Sequence, residues 1–132
     1  MNADLSALTA RATVKGVRKL VRRSPEKQEE AAAMKLMAVL GFTAWHLSQA
    51  RASRQTSGWP DVFFTHPDKR LSVYYEAKSL AGRQSPAQRE FQKHVTACGH
   101  AYVVGPCSAL TLWCVERGLC KVTAGGGIEV IR

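Results

Sequence analysis

Acidic residues are scarce in this chain: 10 Asp and Glu stand against 19 Lys and Arg, for a formal net charge of +9. That imbalance says nothing about fold. It does argue for a polyanionic partner, and nucleic acid leads because cations that neutralise phosphates release condensed counterions. Long apolar runs are also missing, so no segment is expected to cross a bilayer. Arg11, Lys15, Arg18 and Lys19 interrupt the N-terminus where a signal-peptide core would lie, and the expectation is an intracellular, cytoplasmic protein. No Cys-x-x-Cys pair occurs among Cys98, Cys107, Cys114 and Cys120, which disfavours structural zinc and predicts buried, reduced thiols. His46, His66, His94 and His100 share no ligand spacing, and no internal repeat is visible.

What is present fits one domain. The 132 residues, 45% of them hydrophobic, suffice for a core. Residues 1–23 differ from the rest: Lys15, Arg18, Lys19, Arg22 and Arg23 occur there with Asp4 as the single acid, while Leu5, Leu8, Val14, Val17 and Val21 recur at helical spacing. This segment reads as a basic helix or arm that contacts nucleic acid, with a dimer contact or a passive tail as alternatives. A membrane-surface helix would carry similar charge, but the apolar face is small and lacks aromatics.

Residues 24–132 read as α/β. Ser24-Pro25-Glu26 is a helix start: Ser caps, Pro suits the first turn and Glu complements the positive helix end. Gly41 stops that helix. Strands follow over 42–48, 61–65 and 71–78, with a polar loop at 49–58 and a turn at His66-Pro67-Asp68-Lys69. Ser85-Pro86-Ala87-Gln88 opens a second helix with a capping-box pattern. Ala87, Phe91, Val95 and Cys98 form its expected buried stripe. A core strand at 101–104 comes next, then a helix at 108–117 with Leu110, Trp113 and Cys114 inward. The Gly125-Gly126-Gly127 run precedes a short strand or tail at 128–131. The predicted order is α-β-β-β-α-β plus a final helix and tail, with a mixed sheet of about four strands flanked by helices.

The chemistry concentrates in Pro60-Asp61 and Glu76-Ala77-Lys78. Side chains alternate along a strand, so Glu76 and Lys78 share one face with Ser72 and Tyr74, while Val73, Tyr75 and Ala77 take the other. Asp61 begins the preceding strand, and antiparallel pairing would bring it to Glu76 or Lys78. Asp61, Glu76 and the carbonyl of Ala77 suit a hard cation such as Mg²⁺, with Mn²⁺ able to replace it. Lys78 adds a point charge that can hold and polarise a water. Glu26 and Glu30 lie four apart on the face of Ala33 and Met37, which predicts a carboxylate turned toward the sheet; Glu29 is a third candidate. Gln88 reads either as the partner of Ser85 in the cap or as a side chain aimed at the site. Trp59, Tyr74 and Tyr75 are candidates for base stacking, although packing suits Tyr75 better. Arg51, Arg54, Arg83 and Arg89 flank the site and are candidate phosphate contacts.

Taken in order, these pieces resemble the VRR-NUC (virus-type replication-repair nuclease) family of the PD-(D/E)xK nuclease superfamily. The similar stretch runs from about Ser24 to Gly105. It includes the helical Glu, Gly58-Trp59-Pro60-Asp61, the strand ending in Glu76-Ala77-Lys78, Ser85-Pro86-Ala87-Gln88, and Tyr102-Val103-Val104 after Gly99. Trp59 departs from the pattern, because many relatives carry a smaller apolar residue there. The resemblance implies a restriction-endonuclease-like core. It matches Glu26 to the helical acid, Asp61 and Glu76 to metal ligands, Lys78 to the catalytic lysine, and Gln88 to the glutamine that follows. It further implies a Mg²⁺-dependent DNA endonuclease, a homodimer of phage or bacterial origin that acts on branched DNA such as four-way junctions or flaps. The competing expectations are a non-catalytic DNA-binding module on the same fold and a nuclease subunit targeted by a partner helicase.

Overall fold

In the computed structural model, which describes residues 24–47 and 58–132, local sequence signals set most element boundaries. Helix α1 covers Pro25–Val39; the Ser24 hydroxyl caps it by accepting the Lys27 N–H at 3.2 Å. Its inward face is Ala33 and Met37, both fully buried. Gly41, with φ of +90°, adopts the left-handed conformation that ends the helix, and the Phe42 N–H returns to the Met37 carbonyl at 2.9 Å.

A four-stranded mixed sheet follows. Strands β1 (Thr43–His46), β2 (Val62–His66), β3 (Leu71–Ala77) and β4 (Ala101–Gly105) lie side by side in that order. β1–β2 and β2–β3 are antiparallel, and β3–β4 is parallel. The 67–70 turn joins β2 to β3, with His66 Nδ1 accepting the Lys69 N–H at 3.2 Å. The parallel step requires a crossover, and helix α2 (Pro86–Ala97) supplies it. Helix α3 (Cys107–Glu116) comes next. A separate hairpin of β5 (Cys120–Val122) and β6 (Ile128–Val130) ends the chain's ordered elements.

The core lies between the sheet and the α1/α3 layer. Val62 and Phe64 of β2, Val73 and Tyr75 of β3, Met37 of α1, and Leu110 and Cys114 of α3 are fully buried together. β3 is central, flanked on both edges, and so it buries residues of both faces. The α/β class and the element order agree with the sequence reading. Three details differ. The 128–131 segment is half of a hairpin whose other strand, Cys120–Val122, went unread because three residues show too little alternation. On α2, Phe91 is half-buried and Val95 buried, but Ala87 and Cys98 are exposed. They stand in its first turn and at its C-cap, beyond the part that rests on β4. Cys98 is therefore an exposed thiol, contrary to the expectation that all four thiols are buried. No helix among the described residues is long and apolar enough to cross a membrane.

Candidate active site

The β2–β3 pairing carries the two acids to one point. Val62 lies opposite Tyr75, which leaves Asp61 beside the last residues of β3. The Asp61 N–H donates to the Tyr75 carbonyl at 3.1 Å, and Asp61 Oδ2 accepts the Ala77 N–H at 2.8 Å. The carboxylate is thus pinned to the backbone between Glu76 and Lys78. The Lys78 N–H donates to the Gly105 carbonyl at 3.1 Å, so β4 anchors the lysine's backbone just past the strand end.

Glu76 is the one charged residue among those described that is fully buried. Its Oε1 accepts the Tyr102 hydroxyl at 2.8 Å and Gln84 Nε2 at 3.4 Å. Gln84 in turn donates to Gln92 Oε1 at 2.9 Å. The other oxygen, Oε2, is buried without a hydrogen-bond partner, and Lys78 Nζ stands 3.9 Å from it, at ion-pair range. Burial pushes the Glu76 carboxyl up, against the opposing pull of Tyr102, Gln84 and Lys78. The same burial, with the carboxylate beside it, pushes the Tyr102 hydroxyl up and keeps it a donor.

A cleft of ≈ 260 Å³ opens over this point, walled by Glu26, Lys27 and Glu30 of α1, by Asp61, Ala77 and Lys78, and by Gln88 of α2. The three helical acids separate here. Glu29 turns to α3, where its Oε1 accepts the Cys107 N–H at 2.8 Å and caps a helix whose N-cap residue, Pro106, makes no side-chain cap. Glu26 and Glu30 both face the cleft. Glu30 Oε2 meets Lys27 Nζ at 3.5 Å, while its Oε1 is buried with no partner. Glu26 lies against the 79–82 turn: a Cβ on Gly82 would stand 2.8 Å from Glu26 Oε1.

Gln88 does both things read for it. Its Oε1 accepts the Ser85 N–H at 2.9 Å and its N–H donates to Ser85 Oγ at 3.1 Å, completing the capping box, yet the residue also lines the cleft. With Oε1 held in the cap, its amide Nε2 is the atom left for a ligand. Arg83 is exposed on the loop before α2, and Arg89 donates to the Gln84 carbonyl at 3.1 Å. Tyr75 is fully buried and bonds the Gly105 carbonyl at 2.9 Å, which removes it from base stacking. The basic segment 1–23, with Lys15, Arg18, Lys19 and Arg22, lies outside the described residues, as do Arg51 and Arg54.

Sequence reasoning missed Tyr102, Gln84 and Gln92. Tyr102 offered a signal: a tyrosine inside an apolar strand needs a partner for its hydroxyl. Gln84, in a loop, offered none.

The donors suit a hard divalent cation. A buried carboxylate oxygen without a partner lies next to a second carboxylate, and Mg²⁺ takes one or two carboxylates and keeps waters for the remainder. Among the described residues no group of three or more His, Cys, Asp or Glu side chains gathers to hold a metal. Comparison with protein-family models, curated proteins and solved structures returned no match.

Proposed function

We propose that this cleft hydrolyses phosphodiester bonds in DNA with Mg²⁺, or Mn²⁺ in its place, on a PD-(D/E)xK-type core of the VRR-NUC kind. The observation that carries this reading is the backbone-pinned Asp61 beside the unpartnered oxygen of buried Glu76, with Lys78 at 3.9 Å. Asp61 and Glu76 would hold the cation, with the Ala77 carbonyl as a third donor. Bound there, such a cation would neutralise phosphate charge and acidify a water.

The chain's own residues do the rest. The Ala77 N–H orients Asp61, and Tyr102 with Gln84 occupies one oxygen of Glu76, leaving the other without a hydrogen-bond partner beside Lys78. Lys78, a compact cation on a flexible stem, orients and polarises the attacking water. Glu26 or Glu30 positions the lysine or a second cation from the α1 side. Gln88 presents its amide to phosphate or water. Arg83, with the basic residues of 1–23 and with Arg51 and Arg54, binds backbone phosphates and makes affinity fall steeply with salt. In its specific form the protein is a homodimer that cuts branched DNA.

The test is incubation with Mg²⁺ or Mn²⁺ and matched linear, flap and four-way DNA, alongside a solution measurement of oligomeric state. Cleavage of a branched substrate above linear DNA supports the proposal. Equal cutting of all three, or a monomer at working concentration, removes its specific form. Binding without any cutting would replace it with a DNA-binding module, and cutting only in a larger assembly with a helicase-targeted subunit.

A further inference from the structure

The sheet face under α2 carries an aromatic row of which the hydrolytic reading uses only the Tyr102 hydroxyl. The strand register sets Trp45 opposite Phe63, Phe63 opposite Tyr74, and Tyr74 opposite Tyr102. One aromatic residue from each strand therefore stands on the same side of the pleat. Phe63 and Tyr74 stack with ring centroids 4.4 Å apart. Phe91 of α2 lies edge-on to Tyr74 at 5.5 Å and near Tyr102 at 6.2 Å, so α2 covers the β3–β4 half of the row.

The β1 end is open. Trp45 is 56% exposed, yet its Nε1 donates to Thr65 Oγ1 at 3.0 Å, which holds the ring against the sheet. Trp59, 41% exposed, lies 6.5 Å from Phe91 on the segment that leads directly into Asp61. Trp45 on β1 and Trp59 on the segment before β2 each present part of an indole to solvent among the described residues, a ring surface on which a flat partner can stack. The charge of the chain narrows the choice. At +9 over the full sequence it attracts a polyanion. An unpaired nucleic-acid strand is both polyanionic and faced with free π-surfaces, whereas bases inside a duplex are already stacked on their neighbours.

We infer that Trp45, Phe63 and Trp59 form a stacking platform for unpaired bases of the DNA strand that enters the cleft. The inference rests on the hydrolytic reading for the identity of the ligand. It also sharpens that reading, because substrates with an unpaired arm are favoured over a fully paired four-way junction. Phe63 lies two residues along β2 from Asp61, about 7 Å, so a base on the platform adjoins a phosphate in the cleft.

Tryptophan emission of the full chain in EDTA tests this without cleavage. Trp113 is buried, so a quench on adding oligo-dT reports Trp45 and Trp59. The expected result is quenching by the strand and little by a blunt hairpin duplex of equal charge. Trp45→Ala and Trp59→Ala each weaken strand binding roughly ten-fold, and Trp45→Phe restores most of it. Equal quenching by the duplex, or undiminished strand binding by both Ala variants, overturns the platform. So does protection of Trp45 and Trp59 from acrylamide in the free protein, since another part of the chain or a second copy would then cover them. Strand quenching in a protein that never cuts with Mg²⁺ or Mn²⁺ would keep the platform and remove the hydrolytic reading; cutting without selective quenching would do the reverse.

Discussion

The two faces of β3 belong to one strand and obey opposite physics. Val73, Tyr75 and Ala77 point into the α1/α3 layer, where close packing and apolar burial hold the sheet. Tyr74 and Glu76 point the other way, toward a row of aromatic rings and the Tyr102 hydroxyl, while Lys78 lines the polar cleft at the strand end together with Ala77. The first face is fully covered. The second covers an acid completely and leaves one of its oxygens without a partner. A chain optimised only for stability would not bury that group. On the proposed function, substitutions at Lys78 and in the packed core should separate activity from stability.

The largest expected effect is on the chemical face. Lys78→Ala should reduce Mg²⁺-dependent cleavage by about 10²–10⁴-fold with the thermal midpoint little changed, read from labelled-DNA cleavage and a melting curve on the same preparation. A variant that loses folding and cutting together would erase the distinction between the faces. On the packing face, Phe64→Ala should cost about 3–5 kcal/mol of stability, measured by denaturant unfolding, because it empties a fully buried site.

Glu76→Gln tests both roles at once. Gln can still accept from Tyr102 and Gln84 at the same oxygen, so cleavage should vanish while the fold remains. Without metal at neutral pH its thermal midpoint should equal or exceed that of the parent. The sign follows from the raised carboxyl: the folded state holds its proton more tightly than the unfolded chain, so the parent loses stability as pH rises above the ordinary glutamate range. Below that range both forms are neutral and the difference closes. A lower midpoint for the Gln variant at neutral pH would show that Glu76 stabilises the fold. The smallest effect concerns thiols. Burial pushes Cys114 up to about 12, and Cys98 is exposed, so at pH 8 a thiol reagent should label Cys98 and spare Cys114 until the protein unfolds.

Much of this arrangement was legible in local pattern. Alternation along Leu71–Ala77 separated Glu76 from Tyr75, and the short turn after His66 implied the antiparallel step that brings Asp61 alongside. Ser24 and Ser85 announced their helices through side-chain caps that form as read. The stripe on α2 was misread at both ends, because periodicity shows which residues share a face but not how far along the helix its neighbour extends. The strand at Cys120–Val122 was too short to carry a pattern at all.

The sequence alone determined the α/β class, the element order, the side of β3 on which Glu76 stands and the approach of Asp61 to the end of that strand. These follow from dihedral preference, capping chemistry and the two-residue period of a strand, all of which act over a few residues. Helical spacing put Glu26 and Glu30 on one face, but the tertiary structure alone decided that both line the cleft and that Glu29 caps α3, since that depends on where the neighbouring elements lie. It also brought Tyr102 and Gln84 to one oxygen of Glu76 and left the other bare. Those contacts join residues 26 and 8 positions apart through a parallel crossover and a loop, and no local rule encodes where such a crossover returns.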